Sequence, residues 1–557
     1  MSAPAALCLS SAAQRQAVTL APEIRRAKTK DSILWLVLVA LAAIVRFGPI
    51  ASGLPYIDYV DEGHILHPAI GILKSKSFDS SVYTYPPLTS YLTIAAIKAY
   101  APFYRLFHHH ELWIDLPPDQ DFHTGLGDRY DLITPPEIIW LGRFVVACLS
   151  VGTVMIAGAL AKLLGGSRAG FLAMLFTALC PALVSRGSIL VLDTTATFFV
   201  IVALYFCERL RLVVASNNRA MWRNAALAGV AAGLAFGGKF TAGAVFAALL
   251  LTILTLPPAG KSKAILIVFA GAGLFIGIFC GVPGAVLHPE KIIGEIRGIA
   301  KFYQTIQSDQ GYWSAALSGW EIGFPLMITG LAGIVWMLWN RSTRRAAVSW
   351  IVFALLLLST LVSSRFQPFR NLLFAVPPLC IAAALVCDRL VEYLTQRDRR
   401  LALWPWLAPA WISVVALSLA WFSSRHLQGR TSRIDTRVQA IDWLQQHATK
   451  DETVLGIREL EILPAEWKRV AARSMVVPWF EASDILRGQR FDYVVTGEFD
   501  LRYANDPAGW ATYRDRWKAK VSTMPVQADF GQFATPVAPY LWRTNEERIL
   551  VLKGNAP

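Results

Sequence analysis

Runs of about twenty apolar residues recur along this chain from Ile33 to Phe422, beginning with SILWLVLVALAAIV, and they constrain its fold more than any other feature. A hydrocarbon layer about 30 Å thick offers no partner to a backbone N–H or C=O, so a segment that crosses it must be helical over roughly 20 residues. Hydrophobic residues make up 55% of the 557 and charged residues only 17%, an excess that no soluble core requires. Spans are expected near 32–49, 137–161, 169–186, 190–208, 224–238, 241–257, 264–286, 319–339, 346–363, 370–388 and 402–423, about eleven in all. The fold class expected is an α-helical polytopic membrane protein. The ASG that follows the first run imitates a cleavage site, but the many spans behind it favour an uncleaved first span.

The formal net charge of +14 follows from topology rather than from nucleic acid binding. With these spans every second gap is basic: the N-terminal tail with Arg25, Arg26, Lys28 and Lys30, then Lys162 and Arg168, ERLRL through NNRAMWR, PPAGKSK, RSTRR and QRDRR. Basic loops face the cytoplasm. The tail 1–31 is therefore cytoplasmic, 32–424 forms the membrane region, and the loops 50–136 and 287–318 and the C-terminal region 425–557 lie on the outer side. This parity depends on GLAFGGKFTAG, where Gly237, Gly238 and Lys239 interrupt an apolar stretch. A continuous helix there would invert every later loop.

The loop 50–136 is too long for a plain connector. YPPLTSYLTIAAIKAYAPFYRLF reads as a helix in the outer interface that starts at Pro87. After Gln428 the pattern changes: TRVQAIDWLQQHATKDETVLGI places Val438, Ile441 and Leu444 at helical spacing before a short strand, and FDYVVTGEF repeats the strand signature. A soluble C-terminal α/β domain is expected. The tract His108 to His110 reads as a solvated cluster, and the seven cysteines form no CxxC.

The chemistry concentrates in YIDYVDEGHILH, residues 56 to 67, just after the first span. Asp61-Glu62-Gly63-His64 there, Pro86-Pro87-Leu88 in the same loop, and Arg370-Asn371-Leu372-Leu373 before Pro377-Pro378 resemble the motifs of the GT-C class of membrane glycosyltransferases. The likeness is specifically to the protein O-mannosyltransferase-like family, glycosyltransferase family 39, which includes the bacterial lipid A aminoarabinose transferases. Asn371 stands where that family usually has Tyr. The resemblance implies a GT-C fold, a polyprenyl-phosphate sugar as donor and a hydroxyl of a lipid, glycan or protein as acceptor, on the periplasmic face of a bacterial inner membrane. Membrane lipid is the other expected partner.

Such a transfer needs a base for the hydroxyl and cations for the departing phosphate. Asp61 is the expected base, because a carboxylate at the membrane boundary is partly desolvated. Glu62 is the second catalytic candidate, orienting the acceptor or holding a loop cation, and Asp58 is the fallback base. Arg370 leads the phosphate candidates, with Arg365, Lys239 and Arg143 behind it and Arg297 or Lys301 as further options. Arg143 lies within a span, where a charge must be paired or face water. Asp193 either lines the acceptor cavity or pairs with Arg186 or Arg143. His64, Tyr85, Pro86 and Pro87 complete the expected substrate-binding set. No nucleotide-binding glycine motif or HExxH occurs. Asp61, Glu62, His64 and His67 could supply metal ligands, but the resemblance implies that no metal or cofactor is used. The reading from another class is a transporter or flippase of a lipid-linked saccharide, which also needs many spans and a broken helix. A third is an assembly protein that docks through its tail.

Overall fold

The computed structural model describes residues 31–56, 59–78, 83–116, 135–213, 218–257, 260–305, 312–361, 365, 367–396, 404–431, 434–460, 462, 464–477, 479–497, 508–531 and 548–554. Helices occupy all eleven of the expected stretches. The first, α1, runs over 31–47. Three helices fill the loop after it: α2 (Val60–Ser75), α3 (Leu88–His108) and the single turn α4 (Leu112–Asp115). Pro87 stands directly before α3, as its missing N–H suits.

A long bundle follows: α5 (Glu137–Gly165), α6 (Ser167–Leu179), α7 (Pro181–Arg186), α8 (Leu192–Val213), α9 (Asn218–Gly238), α10 (Val245–Leu254) and α11 (Gly260–Gly281). The stretch expected as one span over 169–186 is two helices. Cys180 is extended because the residue before a proline is driven from the helical region, and Pro181 opens a new helix. In the 287–318 loop lie α12 (Gly284–Leu287), α13 (Pro289–Thr305) and α14 (Tyr312–Leu317). The bundle closes with α15 (Phe324–Trp339), α16 (Arg344–Leu361), α17 (Val376–Gln396) and α18 (Trp404–Thr431). Among the described residues five helices are long and apolar enough to cross a membrane, within α5, α11, α16, α17 and α18. Of the others, α6, α15 and the segment Phe240–Leu254 are apolar but shorter, and α8 carries Asp193 and Glu208 inside the protein.

The break at GLAFGGKFTAG is real. Helix α9 stops at Gly238, Lys239 is extended, and a 3-10 turn (Phe240–Ala244) leads into α10. Helices α9 and α11 then run parallel, with α10 returning between them. Gly229, Gly233 and Gly237 on α9 face Gly273, Gly277 and Gly281 on α11, and a Cβ built on any of the first five would collide with the opposite backbone. Small residues four apart let two helices approach this closely. We expect Gly233→Leu or Gly277→Val to force α9 and α11 apart. A cost of about 1–3 kcal/mol or more is the usual penalty of overpacking, read as a lower unfolding temperature in detergent.

Arg46 is fully buried, and its partners among the described residues are a hydroxyl and carbonyls. It donates from Nε to Ser150 Oγ at 2.6 Å and from its terminal nitrogens to the carbonyls of Ala178 (3.0 Å) and Thr177 (3.1 Å). Those carbonyls close the C-terminal end of α6, where a cation is favoured. The contact ties α1 to α5 and α6.

After α18 come α19 (Thr436–His447), β1 (Thr453–Ile457), α20 (Pro464–Trp467), β2 (Arg473–Val477), α21 (Trp479–Gly488), β3 (Tyr493–Gly497), α22 (Ala508–Val521), β4 (Val526–Phe530) and β5 (Ile549–Lys553). The strands form one sheet in the order β2-β1-β3-β5-β4, with β1 parallel to β2 and β3, and β5 antiparallel to β3 and β4. Ala440, Ile441 and Leu444 of α19 share a core with Leu455, Val494, Val495 and Val551. The helix-then-strand expectation holds, although Val438 is only half-buried and Ala440 supplies the apolar face instead.

Candidate active site

The acidic pair opens α2. Tyr59 is extended and its N–H meets Glu62 Oε2 at 3.4 Å, so the carboxylate at the third helical position caps its own helix. Adjacent residues on a helix point about 100° apart, and Asp61 and Glu62 accordingly face different surroundings.

Glu62 points inward. Arg143 of α5 donates to it from Nε to Oε1 at 2.7 Å and from Nη2 to Oε2 at 2.8 Å, and the Leu190 N–H adds a third bond at 2.9 Å. Nη1 of Arg143 donates to the carbonyls of Ile50 (3.0 Å) and Ser52 (2.6 Å). Both side chains have 0% exposure. The expectation that Arg143 is paired or faces water resolves to pairing, and the pair knits α5, the turn that follows α1 and the start of α8 around the base of α2.

Asp61 points outward. Its Oδ1 accepts the Tyr85 hydroxyl at 3.0 Å, and its Oδ2 accepts Nη1 of Arg370. The same Nη1 donates to the Tyr59 hydroxyl at 2.5 Å, and the guanidinium lies 5.7 Å from the centre of the Tyr59 ring. Exposure separates this pair from its neighbour: the Asp61 and Arg370 side chains retain 11% and 16%. Burial first, then the charge of Asp61, pushes the Tyr85 phenol well above its ordinary value, so it stays a hydroxyl and donates. His64, one turn along α2, stacks on the Tyr85 ring with centroids 4.8 Å apart and planes at 6°. Pro86 and Pro87 are buried beneath this corner.

Arg370 belongs to a 3-10 turn (Phe369–Ala375) that leads into α17. Among the described residues its recorded hydrogen bonds leave from Nη1, while Nε is buried without a partner. Asn371, next in the chain, accepts from Lys239 Nζ at 2.6 Å and donates to the Tyr312 hydroxyl at 3.2 Å. Lys239 also pairs with Asp193 Oδ1 at 2.5 Å. Asp193 therefore has neither Arg186 nor Arg143 as its partner. Arg186 instead forms a two-bond pair with Glu321, at 2.6 and 2.7 Å. The α9 break and the parallel packing that follows bring Lys239 to Asp193, which lies on the neighbouring helix α8.

The remaining expected residues lie apart. Arg365 is exposed, and its backbone N–H donates to the Tyr303 carbonyl at 3.0 Å. Asp58 falls outside the described residues. The C-terminal region reaches back to the segment before α2: the Arg437 guanidinium, held by Asp435, sits 3.9 Å from the centre of the buried Tyr56 ring. Sequence reasoning missed Tyr59, Asn371 as a bonding group, and Glu321. Tyr59 was the detectable one, since it lies inside the same acidic segment.

Residues 119–284 match the model of a family described as dolichyl-phosphate-mannose-protein mannosyltransferase. No curated protein matches the chain by sequence. Among solved structures the chain is similar to ArnT from Cupriavidus metallidurans in the apo state, at 15% identity with a TM-score of 0.51. It is also similar to ArnT bound to undecaprenyl phosphate, at 15% and 0.52, and both alignments cover 93% of this chain and 97% of that one. The apo oligosaccharyltransferase of Archaeoglobus fulgidus aligns at 12% identity and a TM-score of 0.50, over 92% of this chain and 74% of its own.

Proposed function

We propose that this chain is a membrane glycosyltransferase of the GT-C class, and that it moves a sugar from a polyprenyl-phosphate donor to a hydroxyl of a lipid, glycan or protein on the outer face of a bacterial inner membrane. The observation that carries this reading is the pairing of the partly exposed Asp61 with Arg370, whose Nε has no partner among the described residues. A base and a phosphate-binding cation are held in contact, and both keep a little exposure.

In the proposed reaction an Asp61 oxygen takes the acceptor proton. The acceptor oxygen bonds to the anomeric carbon as the bond from that carbon to the phosphate oxygen breaks. The electron pair leaves with the polyprenyl phosphate, and attack opposite the phosphate inverts the anomeric centre. Charge grows on the leaving phosphate, and fixed cationic donors lower the barrier most where charge develops. Arg370 meets it through Nε and Nη2, two parallel N–H groups that suit an oxyanion.

Glu62 and Arg143 take a positioning role in this reading, because neither is open to a substrate. Lys239, itself paired with Asp193, holds the turn that carries Arg370 by gripping Asn371. The rest of the proposal concerns layout: eleven spans, a cytoplasmic tail, and a soluble α/β region from about 425 onward on the side of the active site.

The test is binding of undecaprenyl phosphate to the purified full chain. Arg370→Ala should weaken it at least about tenfold, the size of one charge-assisted hydrogen bond. Unchanged affinity would reject Arg370 as the phosphate residue.

A further inference from the structure

Resting on that reading, we infer that Arg370 is a cation shared in turn by the base and the leaving group. In the empty site its charge is committed to Asp61, and a bound donor phosphate draws it away. Asp61 is thereby freed to act as a base only when a donor is present.

Three observations carry this. First, Asp61 has each oxygen engaged, Oδ1 by Tyr85 and Oδ2 by Arg370, so an acceptor hydroxyl must share an oxygen with one of them. Second, among the described residues neither of these partners bonds a competing anion: Nη1 of Arg370 is completed by the Tyr59 hydroxyl, and Tyr85 donates to Asp61 itself. Third, the opposite edge of the guanidinium is unused, with Nε buried and unpartnered among the described residues. Burying an N–H without a bond is unfavourable. A position that keeps one is set for a ligand that completes it.

A phosphate on that edge places a second anion around one positive charge. The hold on Asp61 weakens, and a carboxylate that faces another anion accepts a proton more readily. The ligand class is thus a phosphate monoester or diester at the membrane surface, and the consequence is an order of events. Donor must bind before the acceptor proton can leave, which protects the acceptor and water from idle proton exchange at an empty site.

The arrangement makes a counterintuitive prediction about the base. Removing the Asp61 charge should strengthen phosphate binding, because Arg370 loses its resident anion. With undecaprenyl phosphate as the probe and the full chain in nanodiscs, Asp61→Asn should bind about tenfold tighter than the unaltered protein. Asp61→Ser serves as a second neutral variant, with thermal unfolding checked for both. The same change should have no effect in an Arg370→Ala background, as a double-mutant cycle requires of a coupled pair.

Equal or weaker binding by both neutral variants would overturn the sharing. Tightening that persists without Arg370 would also overturn it, since plain repulsion between Asp61 and the phosphate would then suffice. Failure of the underlying reading is separable: Arg370→Ala alone would then leave the affinity of the otherwise unaltered protein untouched.

Discussion

Asp61→Asn is expected to lower sugar transfer by about 10²–10⁴-fold, the usual contribution of a positioned general base, while the chain still folds and binds the lipid donor. The substitution is nearly isosteric. Its amide oxygen can still accept from Tyr85 or from Arg370, so the corner formed by α2 and the turn before α17 keeps its packing. What disappears is the proton acceptor. Glu62 cannot replace it although it is the next residue, because both its oxygens are already bonded to Arg143 and its side chain has no exposure. The measurement is transfer from a polyprenyl-phosphate sugar in proteoliposomes. The acceptor is first identified by comparing, by mass spectrometry, the glycolipids and glycoproteins of cells with and without the gene. Transfer within a few-fold of the unaltered protein would remove Asp61 from the mechanism and shift attention to Asp58.

The sequence shows plainly what depends on local pattern. Apolar runs placed the helices, and the glycine pair before Lys239 placed the break, because both signals lie within one stretch of chain. Asp61 was visible as well, through its position behind the first span and its motif. What pairs with what was not visible. Glu62 meets Arg143 across 81 residues of chain, and Lys239 meets Asn371 across 132. Such distant meetings depend on which helices pack side by side, which no local periodicity encodes. Asp193 and Arg186 are seven positions apart on neighbouring segments, a natural pair in one dimension, yet the fold sends one to Lys239 and the other to Glu321. Asn371 shows the opposite case. In sequence it looks like a departure from a family pattern, whereas in the structure its amide uses both ends, toward Lys239 and Tyr312. A tyrosine there would have a single hydroxyl for both partners, where the amide has a separate acceptor and donor.

The largest stability effect is expected from Arg143→Ala. The change leaves the Glu62 carboxylate buried with no counter-charge, and breaking a buried pair by removing one partner costs about 3–5 kcal/mol. Three elements lose a common anchor at once, since Arg143 also holds the carbonyls of Ile50 and Ser52. Thermal unfolding in detergent should fall sharply for Arg143→Ala and similarly for Glu62→Ala. The double variant Glu62→Leu/Arg143→Met should recover much of the loss, because two apolar side chains of similar volume no longer leave a charge stranded. Activity should behave differently from stability. Glu62 caps the first turn of α2 through the Tyr59 N–H, and Tyr59 in turn contacts Arg370, so the refolded double variant should still transfer sugar poorly. If stability and transfer recover together, the buried pair only fills space, and Asp61 is aligned by something else.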